Sequence, residues 1–84
     1  MHEQVNEKVD VITVFSSTKR VTKPHAVKWR GLTHVVTDIG YHHTVREGRT
    51  LKHIFSVSTN TLALRLTFDT ETLGWTLNEV SDGT

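Results

Sequence analysis

Six histidines stand in this 84-residue chain, and five of them, His25, His34, His42, His43 and His53, fall in its middle. Imidazole changes charge near neutral pH and is a common metal ligand, so these are the first residues to test for chemistry. Three of them converging on one point could hold zinc and leave an open catalytic position. The spacing does not favour it. His34 and His42 lie ~26 Å apart on an extended strand that rises ~3.3 Å per residue. His42 and His43 are adjacent, so a strand sends them to opposite faces. Only His43 and His53 are expected to be neighbours, across a hairpin. A pH-sensitive contact at that pair is the most the histidines promise, and neither a metal nor a cofactor is expected.

Other catalytic chemistry finds less support. Serine and threonine are abundant, but none sits in a G-x-S-x-G elbow. Cysteine is absent, which removes thiol nucleophiles, thiolate metal sites and disulfides together. No H-E-x-x-H, no P-loop and no G-x-G-x-x-G is present, and the carboxylates cluster near the chain ends rather than in a catalytic pair. The chain reads as a non-enzyme.

The cations form the strongest functional pattern. Residues 1–10 carry Glu3, Glu7 and Asp10 against Lys8, a sum of −2. Residues 11–68 carry nine Lys/Arg against Asp38 and Glu47, a sum of +7, and residues 69–84 carry four carboxylates, a sum of −4. The middle is therefore basic and both ends acidic, within a net charge of +1. Lys19, Arg20 and Lys23 precede Pro24, Lys28 and Arg30 follow it, and Arg46, Arg49 and Lys52 surround a second hairpin. A basic groove along phosphates, with aromatics for stacking, is how small β barrels bind nucleic acid. These eight residues are the candidate nucleic-acid-binding set. Trp29, Tyr41, Phe55, Phe68 and Trp75 all fall on expected core faces, which leaves few rings for stacking.

The elements that must position these residues read as β throughout. Residues 1–8 are polar and aperiodic, the pattern of a flexible terminus, and Met1–Glu7 holds no apolar run of the kind a signal peptide needs. Val9–Ser16 is rich in β-branched residues and apolar on both faces, which fits a central strand or one that bends between two layers. Ser16–Pro24 is the longest polar connection. Val27 and Trp29 point inward, with Lys28 and Arg30 outward, and Arg30-Gly31 makes a hairpin turn that pairs Trp29 with Leu32 and Val27 with His34.

From Leu32 to His43 the phase is ambiguous. The turn sends Leu32, His34 and Val36 inward, whereas Ile39 and Tyr41 have the opposite parity and are also apolar. Both sets face inward only if a bulge falls near Thr37-Asp38 or a bend at Gly40. A tip at Glu47-Gly48 then sets Tyr41 opposite Phe55, Ile39 opposite Val57 and His43 opposite His53. Thr59-Asn60 is expected as a two-residue turn that sets Val57 against Leu62 and Phe55 against Leu64. Leu62, Leu64, Leu66 and Phe68 form the cleanest alternation in the chain. A turn over 69–74 returns Trp75 opposite Phe68 and Leu77 opposite Leu66. No segment has a 3.6-residue period, and no apolar run reaches the ~18 residues of a membrane span.

The run Pro24, Trp29-Arg30-Gly31, Val36, Ile39, Leu66-Thr67-Phe68-Asp69, Trp75-Thr76-Leu77 and Val80-Ser81-Asp82 resembles the pattern of a family of small bacterial β domains of unknown function. The resemblance covers about two-thirds of the chain. His34 stands where that family tends to carry an aromatic. The resemblance implies an accessory protein, of a kind sometimes associated with DNA-repair polymerases, and it carries over no catalytic residue.

These readings converge on an all-β domain over 9–80, between a flexible 1–8 and a polar tail at 81–84. Five or six antiparallel strands form a meander that curls into a small, partly open, SH3-like barrel, because no helix is available to cover one apolar sheet face. The expected function is a cytoplasmic, non-enzymatic accessory or binding module, with nucleic acid as partner through the basic middle. The alternative is a protein–protein adaptor or self-associating domain that uses an exposed strand edge.

Overall fold

The computed structural model describes residues 2–82, and at Val21 the backbone only. Seven strands follow one another: β1 (His2–Ser16), β2 (Val21–Trp29), β3 (Leu32–Val35), β4 (Asp38–Glu47), β5 (Thr50–Ser58), β6 (Ala63–Asp69) and β7 (Trp75–Ser81). They form one antiparallel sheet in the order β3-β2-β1-β7-β6-β5-β4. The class is all-β, as the alternating patterns imply. Seven strands are one more than the upper expected count, and the differences fall at two identifiable places. Residues 2–8, expected to be flexible, are the first half of β1, held on β7 by pairs such as Glu3↔Val80 and Glu7↔Leu77. The single strand expected from Leu32 to His43 is divided at Val36-Thr37 into β3 and β4. Of the expected tail, Ser81 ends β7, while Gly83 and Thr84, like Met1 at the other end, lie outside the described residues.

β1 is the joint of the sheet. Its residues 2–9 pair with β7, and its residues 10–16 pair with β2. The doubly apolar Val9–Ser16 run therefore marks a strand that leaves one wing and enters another. At the opposite side the chain makes a second crossing. Val36 N–H donates to His25 C=O at 2.9 Å, and Thr37 N–H donates to Ser58 C=O at 2.8 Å, so consecutive residues bond to β2 and then to β5. The hydrogen-bonded order is nonetheless linear, with β3 and β4 as its two ends, and no ladder among the described residues joins them.

The core lies between the five-stranded wing and β2. Phe55, Val57, Leu64, Leu66, Trp75, Leu77 and Val80 present one face of β5, β6 and β7, and Val27 closes over them, each 7% exposed or less. Burying each side chain of this size contributes roughly 1.5–3 kcal/mol. Val5, Val9, Val11, Trp29, Val36, Ile39, Leu62 and Phe68 pack around them partly buried. Val80 has the opposite parity to Trp75 and Leu77, and it still faces inward because Asn78 is an extra residue against β6, between the pairs Arg65↔Glu79 and Leu66↔Leu77. Asn78 sits in a polar contact instead, accepting from Thr67 Oγ1 at 2.6 Å and lying 3.4 Å from Asn6 Oδ1. Asn6, at φ 51, provides the matching irregularity in β1.

Three expected registers are corrected. The 32–47 segment breaks at both expected places: at Val36-Thr37, where the chain changes partners and Val36 and Ile39 both pack on the core, and between Ile39 and Tyr41, at Gly40. Ile39 still meets Val57, but Gly40 turns the parity, so Tyr41 meets Ser56 and is 56% exposed, while His42 meets Phe55. The hairpin tip moves accordingly to Gly48-Arg49, with Glu47 opposite Thr50. Between β5 and β6 the connection is four residues, with Ser58 opposite Ala63 and Phe55 opposite Leu66. Thr59 makes the longer loop by accepting at its hydroxyl from Leu62 N–H at 3.0 Å. That slip of two residues leaves every side chain on its expected face, because the strand period is two. The Arg30-Gly31 and 69–74 pairings match expectation, although Leu32, expected inward, is exposed on the short end strand β3.

Candidate functional site

The cations come to three places. Lys19 and Arg20 lie in the 17–20 turn after β1, where Arg20 N–H donates to Ser16 C=O and Arg20 takes a positive φ of 54. Lys23 follows on β2, opposite Val14. Arg46 lies on β4, Arg49 in the tip and Lys52 on β5. The ladder Val9–Trp75–Phe68–His53–Thr44 crosses β1, β7, β6, β5 and β4 in turn. The 45–52 hairpin projects past one side of that row, so Arg46, Arg49 and Lys52 share that end of the sheet, whereas Lys23, opposite Val14, lines a cleft with Val36, Thr37, Asp38 and Ile39 toward the other end of β4. Lys28 and Arg30 join neither place. Lys28 stands opposite Asp10. The Arg30 guanidinium lies 4.4 Å over the Trp29 ring and 3.8 Å from Glu7, whose carboxylate also accepts from Trp29 Nε1–H at 2.9 Å.

The shared end is mixed in sign. Lys52 pairs with Glu47 at 3.3 Å and stands opposite Asp69. The Asp69–Gly74 turn lies between the two basic hairpins in sheet order and brings Asp69 and Glu71. The backbone N–H groups of Thr72 and Glu71, donating at 3.1 and 2.8 Å, hold the Asp69 carboxyl below its ordinary range, so it stays ionised. Lys19, Arg20, Arg46 and Arg49 make no ion pair among the described residues, but an acidic turn separates the two pairs in sheet order, and they do not form one continuous groove.

The histidine pair differs from expectation by one residue. The parity change at Gly40 points His42, and not His43, at His53. His42 Nε2 and His53 Nδ1 stand 2.8 Å apart, and the His42 ring stacks on Phe55 at 4.3 Å with 4° between planes. One imidazole must donate and the other accept, so the contact requires at least one of the facing nitrogens to be unprotonated. Desolvation, then the charges of His53, His43 and Lys23, hold the His42 pKa below the ordinary histidine value. His43 lies on the opposite face beside Tyr41, with ring centroids 4.9 Å apart. No group of three or more His, Cys, Asp or Glu side chains among the described residues could hold a metal ion.

A feature that the sequence left undecided is the surface of β1 past its joint. Ile12, Thr13, Val14 and Phe15 are all exposed, the three apolar ones at 46%, 52% and 63%. Residues 10–16 are bonded to β2 along one edge, and among the described residues no ladder takes the other. The two-faced apolar pattern was the available signal, but it is shared by buried central strands and by exposed docking strands.

No family model, no curated protein and no solved structure matches this chain.

Proposed function

We propose that the chain is a non-enzymatic accessory module that works by binding, and that it docks an extended partner strand on the open edge of β1. The observation that carries this reading is the run Ile12–Phe15, where four consecutive exposed residues, three of them large and apolar, coincide with an unpaired strand edge. An edge of this kind offers main-chain donors and acceptors for affinity, and alternate side chains for selectivity. The test is selection of extended peptides displayed on phage against the intact chain. Binders are expected that are lost with Val14→Lys and kept with Arg46→Glu/Arg49→Glu. A selection that yields no binder sensitive to Val14→Lys removes the reading.

Nucleic-acid binding is the second reading. Lys19, Arg20, Arg46 and Arg49, exposed and free of acidic partners among the described residues, favour it. The intervening Asp69 and Glu71 weigh against it, as does the burial of Phe55 and Trp75, which takes these rings away from any stacking role.

The same proposal takes the sheet as curled into a small, partly open, SH3-like barrel. The double crossing at β1 and at Val36-Thr37 supports that curl. It also includes a cytoplasmic location, suited to a chain without cysteine, and the resemblance of Pro24–Asp82 to bacterial accessory domains. No helix among the described residues is long and apolar enough to cross a membrane.

A further inference from the structure

The strand that the β1 edge is built to receive is another β1. We infer that two copies of this chain associate about a two-fold axis near Thr13, with residues 10–16 of one copy pairing antiparallel with residues 10–16 of the other. The inference rests on the strand-edge reading and names its partner.

Three observations single out this edge and this occupant. The first is that the edge is unguarded. Sheet edges are normally blunted by Lys, Pro, a bulge or a cover, yet residues 11–16 contain no charge, proline or glycine, and the irregularity between Ile12 and Thr13 has its extra residue, His25, on the β2 side. The other open edges have protection: the free edge of β1 residues 2–9 carries Glu3, Glu7, Lys8 and the irregularity at Asn6. β4 carries the irregularity at Gly40 and the charged residues Arg46 and Glu47. β3 is four residues long and faces the 59–61 loop across the small cleft lined by Thr33, His34, Val35, Thr59, Asn60 and Thr61.

The second observation is self-complementarity. An isologous contact requires one surface to match its own two-fold image. With the axis at Thr13, Ile12 falls opposite Val14, Val11 opposite Phe15, and Thr13 opposite itself. These are apolar β-branched, aromatic and Thr–Thr pairs, the cross-strand combinations that stabilise antiparallel ladders. Antiparallel pairing at this edge also continues the sheet of each copy into the other. It supplies main-chain partners to a two-stranded stretch, residues 10–16 with 21–28, whose β1 half is exposed from Ile12 to Phe15.

The third is charge. The same register puts Asp10 of each copy opposite Ser16 of the other, so the Lys19-Arg20 turn of one copy arrives beside Asp10 and the Asp69–Gly74 turn of its partner. Asp69 is held ionised there by its two backbone donors. The contact is formed twice by symmetry and sets the Lys19-Arg20 turn against Asp10, Asp69 and Glu71, in a corner that also holds Lys8, Lys28 and Lys52.

The chain has no cysteine, so a single introduced one can only link two copies. Thr13→Cys, at an exposed position on the proposed axis, is expected to form a disulfide dimer under mild oxidation much faster than Val45→Cys, an exposed position on the β4 edge. Sedimentation equilibrium of the unaltered chain, from micromolar to near-millimolar, is expected to show a monomer–dimer equilibrium. Val14→Lys should weaken it by at least an order of magnitude, about tenfold, with its unfolding midpoint little changed. A chain that stays monomeric throughout, or Thr13→Cys that links no faster than Val45→Cys, overturns the inference. If such a monomer still selects extended peptides that Val14→Lys abolishes, the homotypic pairing fails and the strand-edge reading stands. If it selects none, both fail.

Discussion

At the scale of single residues, position 42 shows how one backbone irregularity reassigns chemistry. Gly40 turns the parity of β4, and as a result His42 stacks on Phe55 and meets His53 while Tyr41 is exposed. Partial desolvation, and then the neighbouring His53, His43 and Lys23, disfavour the protonated form of His42, so its pKa lies below the ordinary value. The sign follows from linkage. Below about pH 6.5 the unfolded chain binds this proton more readily than the folded one, so His42 lowers stability as pH falls through the histidine range. The Asp69 carboxyl, shifted in the same direction from a lower ordinary value, acts only at more acidic pH. Urea midpoints are therefore expected to fall from pH 7.5 to pH 5, and to fall less in His42→Phe, which keeps the stack on Phe55 and removes the titration. An equal fall in both proteins would show that His42 does not carry the effect.

At the scale of elements, turns and bulges decide which faces meet. The β2–β3 hairpin closes through Arg30 and Gly31 at φ 50 and 80, the pair of positive values of a type I′ turn. A Cβ on Gly31 would meet nothing within 4 Å, so its cost is conformational alone. Gly40 has no positive φ, and a Cβ there would sit at an ordinary 3.8 Å from Ser56 O. Gly31→Ala is expected to destabilise by about 1–2 kcal/mol, and Gly40→Ala by much less, as read from chemical denaturation. Similar losses at both would mean that the bulge, too, depends on glycine's freedom. The joint in β1 belongs to the same scale. A strand that changes partners midway exposes one edge of each half, and its C-terminal half is where the apolar exposure falls.

At the scale of the whole molecule, the basic middle seen along the chain is divided in space. Lys28 and Arg30 are drawn toward Asp10 and Glu7, and the remaining candidates straddle the Asp69–Gly74 turn in sheet order. This layout makes the nucleic-acid reading a quantitative matter. If Lys19, Arg20, Arg46 and Arg49 neutralise phosphates, the affinity for single-stranded DNA or RNA should fall as log K against log salt with a slope of about −0.7 per contact. Lys19→Glu/Arg20→Glu should reduce that slope. NMR spectra that do not move with excess oligonucleotide at low salt would remove the reading.

The sequence by itself determined the class and most of the inward faces. β-branched alternation with no helical period leaves only strands, and the 62–68 alternation places Leu64 and Leu66 correctly even though its expected register was off by two, because a slip of an even number preserves the face. It also determined the turns at Arg30-Gly31 and over 69–74, where local chemistry suffices. Tertiary structure decided what depends on odd shifts and on distant partners. One residue of bulge at Gly40 exchanged Tyr41 for His42; the glycine marked a possible bend, but not that it would act in addition to the break at Val36-Thr37. Residues 2–8 became strand because β7 offers them an edge, although their own sequence has no strand period. Whether the apolar faces of residues 12–15 would be covered was equally beyond the sequence. Strand propensity is local, whereas burial depends on which layer lies opposite, and the fold leaves Ile12, Val14 and Phe15 exposed, with Val14 at the rim of a cleft against Val36–Ile39.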